Sequence, residues 1–343
     1  MSVYSRLRLA TRRTLGPLSL LAVVLLASPV TAHGGPGIAS EPVDTPTWLF
    51  LMTGGGVIAV SFLLTSFVTD RGVLSAYHER TFDLPSGWTL RGLAGKLAAV
   101  VGLLGLAAVL VVGLRGPPEA NANLAILLVW VVWWAGFISS AYLLGNSWPA
   151  FDPFARLATL LPERELVTLP AWVGRCPAAA GLFLLVSLEV LSHVPSAPPQ
   201  SVGVVVAYLA ATLVGTVALG GETWRQQIDP VRNVFRLYGR MAPIQRTDDG
   251  LALAWPGSRL ATLEPSAADH TTQQSETGFV IALLWVTTYD GFVATPGWEA
   301  LAGPLVRVGI PAALTYFAAL LAGYALFLGA YWWASKLVRR AGR

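Results

Sequence analysis

The stretch Gly278-Phe279-Val280-Ile281-Ala282-Leu283-Leu284-Trp285-Val286-Thr287-Thr288-Tyr289-Asp290-Gly291-Phe292-Val293 begins as a lipid-soluble helix and turns polar before it ends. A helix needs about 20 mostly apolar residues to cross the roughly 30 Å hydrocarbon layer of a bilayer. This run therefore reads as a short crossing that borrows residues at either end. A carboxylate such as Asp290 at membrane depth costs about 2.5–3.5 kcal/mol on insertion scales. A cation, a proton or a second helix offsets that cost, or else Asp290 sits in water at the headgroup level.

The rest of the chain agrees with a membrane setting. Apolar residues make up 54% of the 343 residues and charged residues 12%, with a mean hydropathy of +0.59. A soluble domain carries about twice that charge fraction. The fold class expected is all-α and integral to a membrane, placed in the cell membrane as a multi-pass protein. Seven apolar runs follow the N-terminal region: Trp48–Val68, Leu97–Leu114, Leu124–Leu144, Trp172–Ser192, Val202–Leu219, Phe279–Val293 and Val306–Trp333. The 13 tryptophans suit anchoring at membrane–water interfaces. Gly54-Gly55-Gly56 and the small residues of the second run suit close helix contact. Asn121 and Asn123 stand where they help start the third run, and the Trp130, Trp133 and Trp134 stripe reads as helix packing ahead of a ligand cage.

Residues 1–32 carry the parts of an export signal: a basic start with Arg6, Arg8, Arg12 and Arg13, a short apolar core from Leu15 to Leu26, and the small residues Val30-Thr31-Ala32. Cleavage after Ala32, or retention of this segment as an uncleaved short helix, leaves residue 33 outside in both cases. Residues 33–46 then form an exterior leader. Cleavage would make His33 the N-terminus, where its amine and imidazole together suit a copper ion; a flexible leader is the plainer reading.

Orientation follows from the positive residues. With the mature N-terminus outside, seventeen of the 23 Lys and Arg residues fall on inner segments, and only Arg115 and Arg307 on outer ones, with four in the signal. The expectation is seven spans, N-out and C-in. The net charge of +4 thus follows from topology and calls for no nucleic-acid partner. The one cysteine, Cys176, excludes an internal disulfide and a Cys-rich metal site.

Two inner segments look alike. Asn146-Ser147-Trp148-Pro149-Ala150-Phe151-Asp152-Pro153-Phe154-Ala155-Arg156 follows the third run, and Gln226-Gln227-Ile228-Asp229-Pro230-Val231-Arg232-Asn233-Val234-Phe235-Arg236 follows the fifth. Asp then Pro suits a helix N-cap with proline in the first turn. Both read as short amphipathic helices on the inner interface, one within 152–160, with arginines turned to anionic lipid headgroups. The pair hints at an internal duplication. Spans one to five with the first such helix occupy 47–220. A cytoplasmic segment follows over 221–276, where Leu251–Trp255 and Arg259–Leu263 flank Pro256-Gly257-Ser258 as a small hairpin. Spans six and seven and a basic tail occupy 277–343. No glycine-rich phosphate loop is present, which argues against an ATP-driven pump.

Ionisable residues inside the runs are few. Glu189 and His193 lie four apart at the outer end of the fourth run, so they share one helical face. With Asp290, and with His33 tethered at the same surface, they fall on the outer side. Imidazoles and carboxylates suit a divalent transition metal, zinc or copper, which activates a bound water. A proton or ion relay, and simple structural pairing, account for the same residues.

Ala32-His33-Gly34, Pro46-Thr47-Trp48-Leu49-Phe50, Arg236-Leu237-Tyr238-Gly239-Arg240-Met241-Ala242-Pro243 and Trp285-Val286-Thr287-Thr288-Tyr289-Asp290-Gly291-Phe292 resemble a family of polytopic membrane proteins labelled fenitrothion hydrolase-like. The resemblance implies hydrolysis of an organophosphate triester, with a metal-activated water near Asp290 as the natural mechanism; Asp290 and Glu189 are the catalytic candidates on the reading of the residues alone. This chain has only four histidines, none paired at metal-binding spacing. Three function classes stay open: a metal-dependent membrane hydrolase with an outer-face site, an ion- or proton-coupled transporter, and a non-catalytic subunit held by a partner in a membrane complex.

Overall fold

The computed structural model describes residues 91–343 apart from 248–249, 262–269, 294 and 342–343, together with 81–83 and the single positions 48, 52, 56 and 59. The export signal, His33 and all but those single positions of the first run lie outside the described residues. Among the described residues, five helices are long and apolar enough to cross a membrane, or six if one bent pair counts as a single crossing. The chain is a multi-pass helical membrane protein.

Helix α1 (Arg91–Arg115) runs antiparallel to α2 (Leu124–Leu144). Asn123 caps α2: its side chain accepts the Ala125 N–H at 2.9 Å and donates to the Pro117 carbonyl at 2.7 Å. Its complete burial is tolerable because both ends of the amide are bonded. The middle of α2, Leu127–Gly136, is a π-helix, a wide turn uncommon at this length and often found at functional sites. Then come α3 (Trp148–Phe151), α4 (Pro153–Ala158), α5 (Cys176–Leu191), α6 (Pro198–Leu219) and α7 (Pro230–Gly239). The chain closes with α8 (His270–Val293), α9 (Pro296–Arg307) and α10 (Ala312–Ala341). From Gln273 onward, α8 and α9 form the bent pair, turning by 80° at their junction.

The last run therefore differs from expectation. Val306 falls in the last turn of α9, which ends at Arg307, and the next long helix begins only at Ala312. Gly309 at φ +95° and Pro311 break the chain between them.

A small sheet has the order β1-β3-β2, with β1 (Thr81–Asp83), β2 (Ile244–Thr247) and β3 (Gly250–Ala254) all antiparallel. The hairpin is thus one strand earlier than expected. β2 pairs with β3 through Thr247↔Gly250, and Ser258–Ala261 is a helical turn instead of a strand. Asp248-Asp249-Gly250 is itself a turn signal of the kind that ends one strand and begins its partner.

The two Asp-Pro helices also differ from expectation. α7 does not lie on the surface: Val231, Asn233, Val234, Phe235 and Leu237 are all buried. Val234 and Leu237 join a core with α5, α8 and α10 around Leu182, Phe279, Tyr289 and Leu320. Val231 and Phe235 join a second core with Leu106, Ala141, Trp148 and Phe154. An amphipathic pattern fixes that one face is apolar and leaves open whether lipid or protein covers it.

Both Asp-Pro helices start halfway along the bundle. A Cβ on Gly102, near the middle of the 25-residue α1, would overlap the Phe151 carbonyl oxygen, so α3 and α4 press against α1 at mid-height. Pro230 packs on Gly181 of α5. Tyr208, midway along the 22-residue α6, reaches Asp229. From these points α4 and α7 run back toward the end of the bundle that carries Arg175 and Glu276.

Candidate functional site

Glu189 is half-buried near the end of α5, and Asp290 is exposed near the end of α8. α5 and α8 pack side by side, and the two carboxylates are near enough for their charges to interact. Tyr316 of α10 lies in the same field, with its hydroxyl buried and without a hydrogen-bond partner among the described residues. Tyr289, beside Asp290, turns the other way: it is fully buried and donates to the Tyr316 carbonyl at 2.8 Å.

His193 is not part of this group as a helical neighbour of Glu189. α5 stops at Leu191, Ser192 is extended at φ −129° and ψ 171°, and His193 is exposed in the turn that follows. Pro195 accounts for the stop, since its ring disfavours helical backbone just before it and it has no N–H to donate. The His193 carbonyl accepts from the Ser196 and Ala197 N–H groups, so its backbone serves the turn. Among the described residues no group of three or more His, Cys, Asp or Glu side chains is placed to hold a metal. Glu189, Asp290 and His193 thus do not form a zinc or copper set, and His33 lies outside the described residues.

A second constellation sits deeper, and only part of it is visible in the sequence. A cavity of about 410 Å³ opens between α1, α2, α5 and α6. Its wall is almost wholly apolar and includes Leu106, Val109, Trp130, Trp133, Val186 and Val205, with Glu189 and Ser201 among its few polar members. The π-helical part of α2 supplies one side. Trp130 and Trp133 therefore do more than pack helices. Trp133 meets Trp148 and Phe235 edge-on at ring distances of 5.7 and 6.0 Å and also lines the cavity.

Pro153, Phe154 and Val231 line the same cavity, so the first turns of α4 and α7 form its inner limit. Just behind them are the two cap carboxylates. Asp152 accepts the Ala155 N–H at 3.0 Å, and Asp229 accepts the Arg232 N–H at 2.9 Å, each as an N-cap. Tyr208 joins cavity and carboxylate: its ring lines the wall, and its hydroxyl donates to Asp229 at 2.8 Å. Arg232 and Asp152 both act electrostatically on Asp229. Both carboxylates are buried, at 4% and 3% exposure. Burial pushes the Asp229 carboxyl up to about 6, against the Arg232 N–H and the Tyr208 hydroxyl, which favour its charged form. Burial raises Asp152 as well, opposed by the Ala155 N–H and by Arg232.

This arrangement supplies a proton-binding carboxyl at mid-bundle, linked through one phenol to an apolar chamber. The two Asp-Pro pairs are visible in the sequence; their convergence and the part of Tyr208 are not, because a tyrosine in mid-helix carries no signal of its own. Comparison with family models, with curated proteins and with solved structures finds no match for this chain.

Proposed function

We propose that the chain is a proton-coupled transporter of the cell membrane that carries an apolar or amphipathic solute through the chamber. The observation that carries this reading is Tyr208, which touches the chamber and hydrogen-bonds to Asp229 in the middle of the bundle. Broken helices that begin near the membrane midplane and aim their ends at a shared site are the usual way for transporters to build binding sites inside a bilayer. Here Asp229 takes up and releases the proton, Tyr208 reports solute occupancy to it, and Arg232 balances the pair of carboxylates. Glu189, at the other limit of the chamber, is the carboxylate a solute meets first.

The topology in this proposal is seven spans, N-out and C-in, after a signal at 1–32. The described helices account for up to six of them. The strong skew of Lys and Arg supports the orientation and puts Asp290 and Glu189 on the exterior side. The hydrolase implied by the family resemblance needs a metal-activated water. The described residues offer no ligand set for that metal, so no catalytic step is assigned to Asp290 or Glu189.

The test is proton flux into proteoliposomes with an entrapped pH dye, on adding a panel of aliphatic and aromatic amphiphiles. At least one solute should acidify the lumen with wild-type protein, and Asp229→Asn and Tyr208→Phe should abolish that response. Flux that persists unchanged in Asp229→Asn refutes the mechanism. Cysteines placed singly at Ser196 and Glu165 in a Cys176→Ser background should react with an impermeant reagent from opposite faces.

A further inference from the structure

We infer that Arg175, Arg236 and Arg240 form a binding site for a phosphate-bearing anion at the end of the bundle away from Asp290. The inference rests on this cluster alone and does not depend on transport. Arg175 precedes α5, Arg236 and Arg240 lie on and just after α7, and all three turn to one carboxylate, Glu276 of α8. The ion pairs measure 3.0 Å from Arg175 to Oε2, and 2.7 and 3.3 Å from Arg236 and Arg240 to Oε1. Three guanidinium groups on one carboxylate leave two positive charges in surplus.

A clamp holding three helices together would need only one arginine on each oxygen. Here two arginines share Oε1, and much of their donor capacity is unspent. Arg236 uses Nη1 alone, while its Nε and Nη2 are buried without a partner among the described residues. Buried guanidinium N–H groups without acceptors are costly, so an acceptor with several oxygens is the expected complement. Arg175 is fixed in place by its Nε, which donates to Asn233 Oδ1 at 3.1 Å and to the Gln226 carbonyl at 3.2 Å. Arg240, at 29% exposure, is the most open of the three and gives access from outside. Arg259 adds a further positive charge near Arg240. Guanidinium forks match the paired oxygens of a phosphate. A lipid headgroup and a free phosphate present the same chemistry.

The test is isothermal titration of the full-length protein in neutral detergent, with inorganic phosphate in one series and short-chain phosphatidylglycerol in another. Binding of either supports the site, and which one binds identifies the source. Arg240→Gln should weaken binding about tenfold or more, as expected for loss of a charged hydrogen bond. Arg240→Lys, which keeps the charge and loses the fork, should fall between it and wild type. Glu276→Gln removes the competing carboxylate and should tighten binding. Asp229→Asn should leave it unchanged. Absence of binding by both ligands overturns the inference. So does weakening by Glu276→Gln alongside Arg240→Gln, which marks the cluster as a clamp only.

Discussion

Asp229→Asn should make the folded protein more stable from neutral pH upward, and not in acid. The amide keeps an oxygen to accept the Arg232 N–H at 2.9 Å and the Tyr208 hydroxyl at 2.8 Å, and Asn caps helices about as well as Asp. What it removes is a charge held at 3% exposure. The folded carboxyl binds its proton at about 6 against an ordinary 3.8. With ~1.4 kcal/mol for each tenfold change, that difference corresponds to about 3 kcal/mol. The sign is fixed by linkage: the folded state holds the proton more tightly than the unfolded chain, so stability falls as pH rises from 3.8 to about 6 and is flat beyond. The mutant escapes this loss. Its advantage over wild type should be near zero below pH ~4 and reach up to about 3 kcal/mol above pH ~7. Thermal midpoints in mild detergent across that range read the difference directly. An advantage that does not grow with pH, or a mutant less stable than wild type at pH 8, refutes the account of Asp229 as a buried carboxyl kept at a cost in stability. Asp229→Ala makes the contrast, since it loses the cap and leaves the Tyr208 hydroxyl without its partner; at pH 5 it should be destabilised by about 2–4 kcal/mol.

Phe235→Ala should cost about 3–5 kcal/mol, because the ring is fully buried against Trp133, Phe137 and Trp148, and chemical denaturation in detergent would show it. Gly102→Ala should fail to give a folded protein, since its Cβ would occupy the place of the Phe151 carbonyl oxygen, whereas Gly203→Ala meets open space and should elute from size exclusion like wild type. Val205→Trp should narrow the chamber and weaken quenching of tryptophan fluorescence by an apolar probe that quenches the wild type. Asp290→Asn should shift stability by no more than about 0.5 kcal/mol, because Asp290 is exposed and its charge interaction with Glu189 is of the weak, screened kind.

The long helices were legible because lipid imposes length and apolarity together. Leu124–Leu144 has the same limits in sequence and structure, and Asn123 caps it as its position implies. The errors arose where one pattern serves two environments. α7 has the alternation of a helix at an interface, but its apolar face meets two protein cores, and Arg236 and Arg240 pair with Glu276. Glu189 and His193 have helical spacing, yet Pro195 ends the helix before the spacing takes effect. The carboxylate at the end of α5 feels the charge of that of α8, and among the described residues no ligands of a metal gather there. Tyr208 could not be singled out, because its importance comes from a contact 21 residues away.

Alternate side chains of α7 are divided between the two cores, Val234 and Leu237 to one and Val231 and Phe235 to the other. Neither half of the bundle can melt without stripping this ten-residue helix of part of its cover. Heat should therefore undo the described bundle in one cooperative step, with no stable half-molecule on the way.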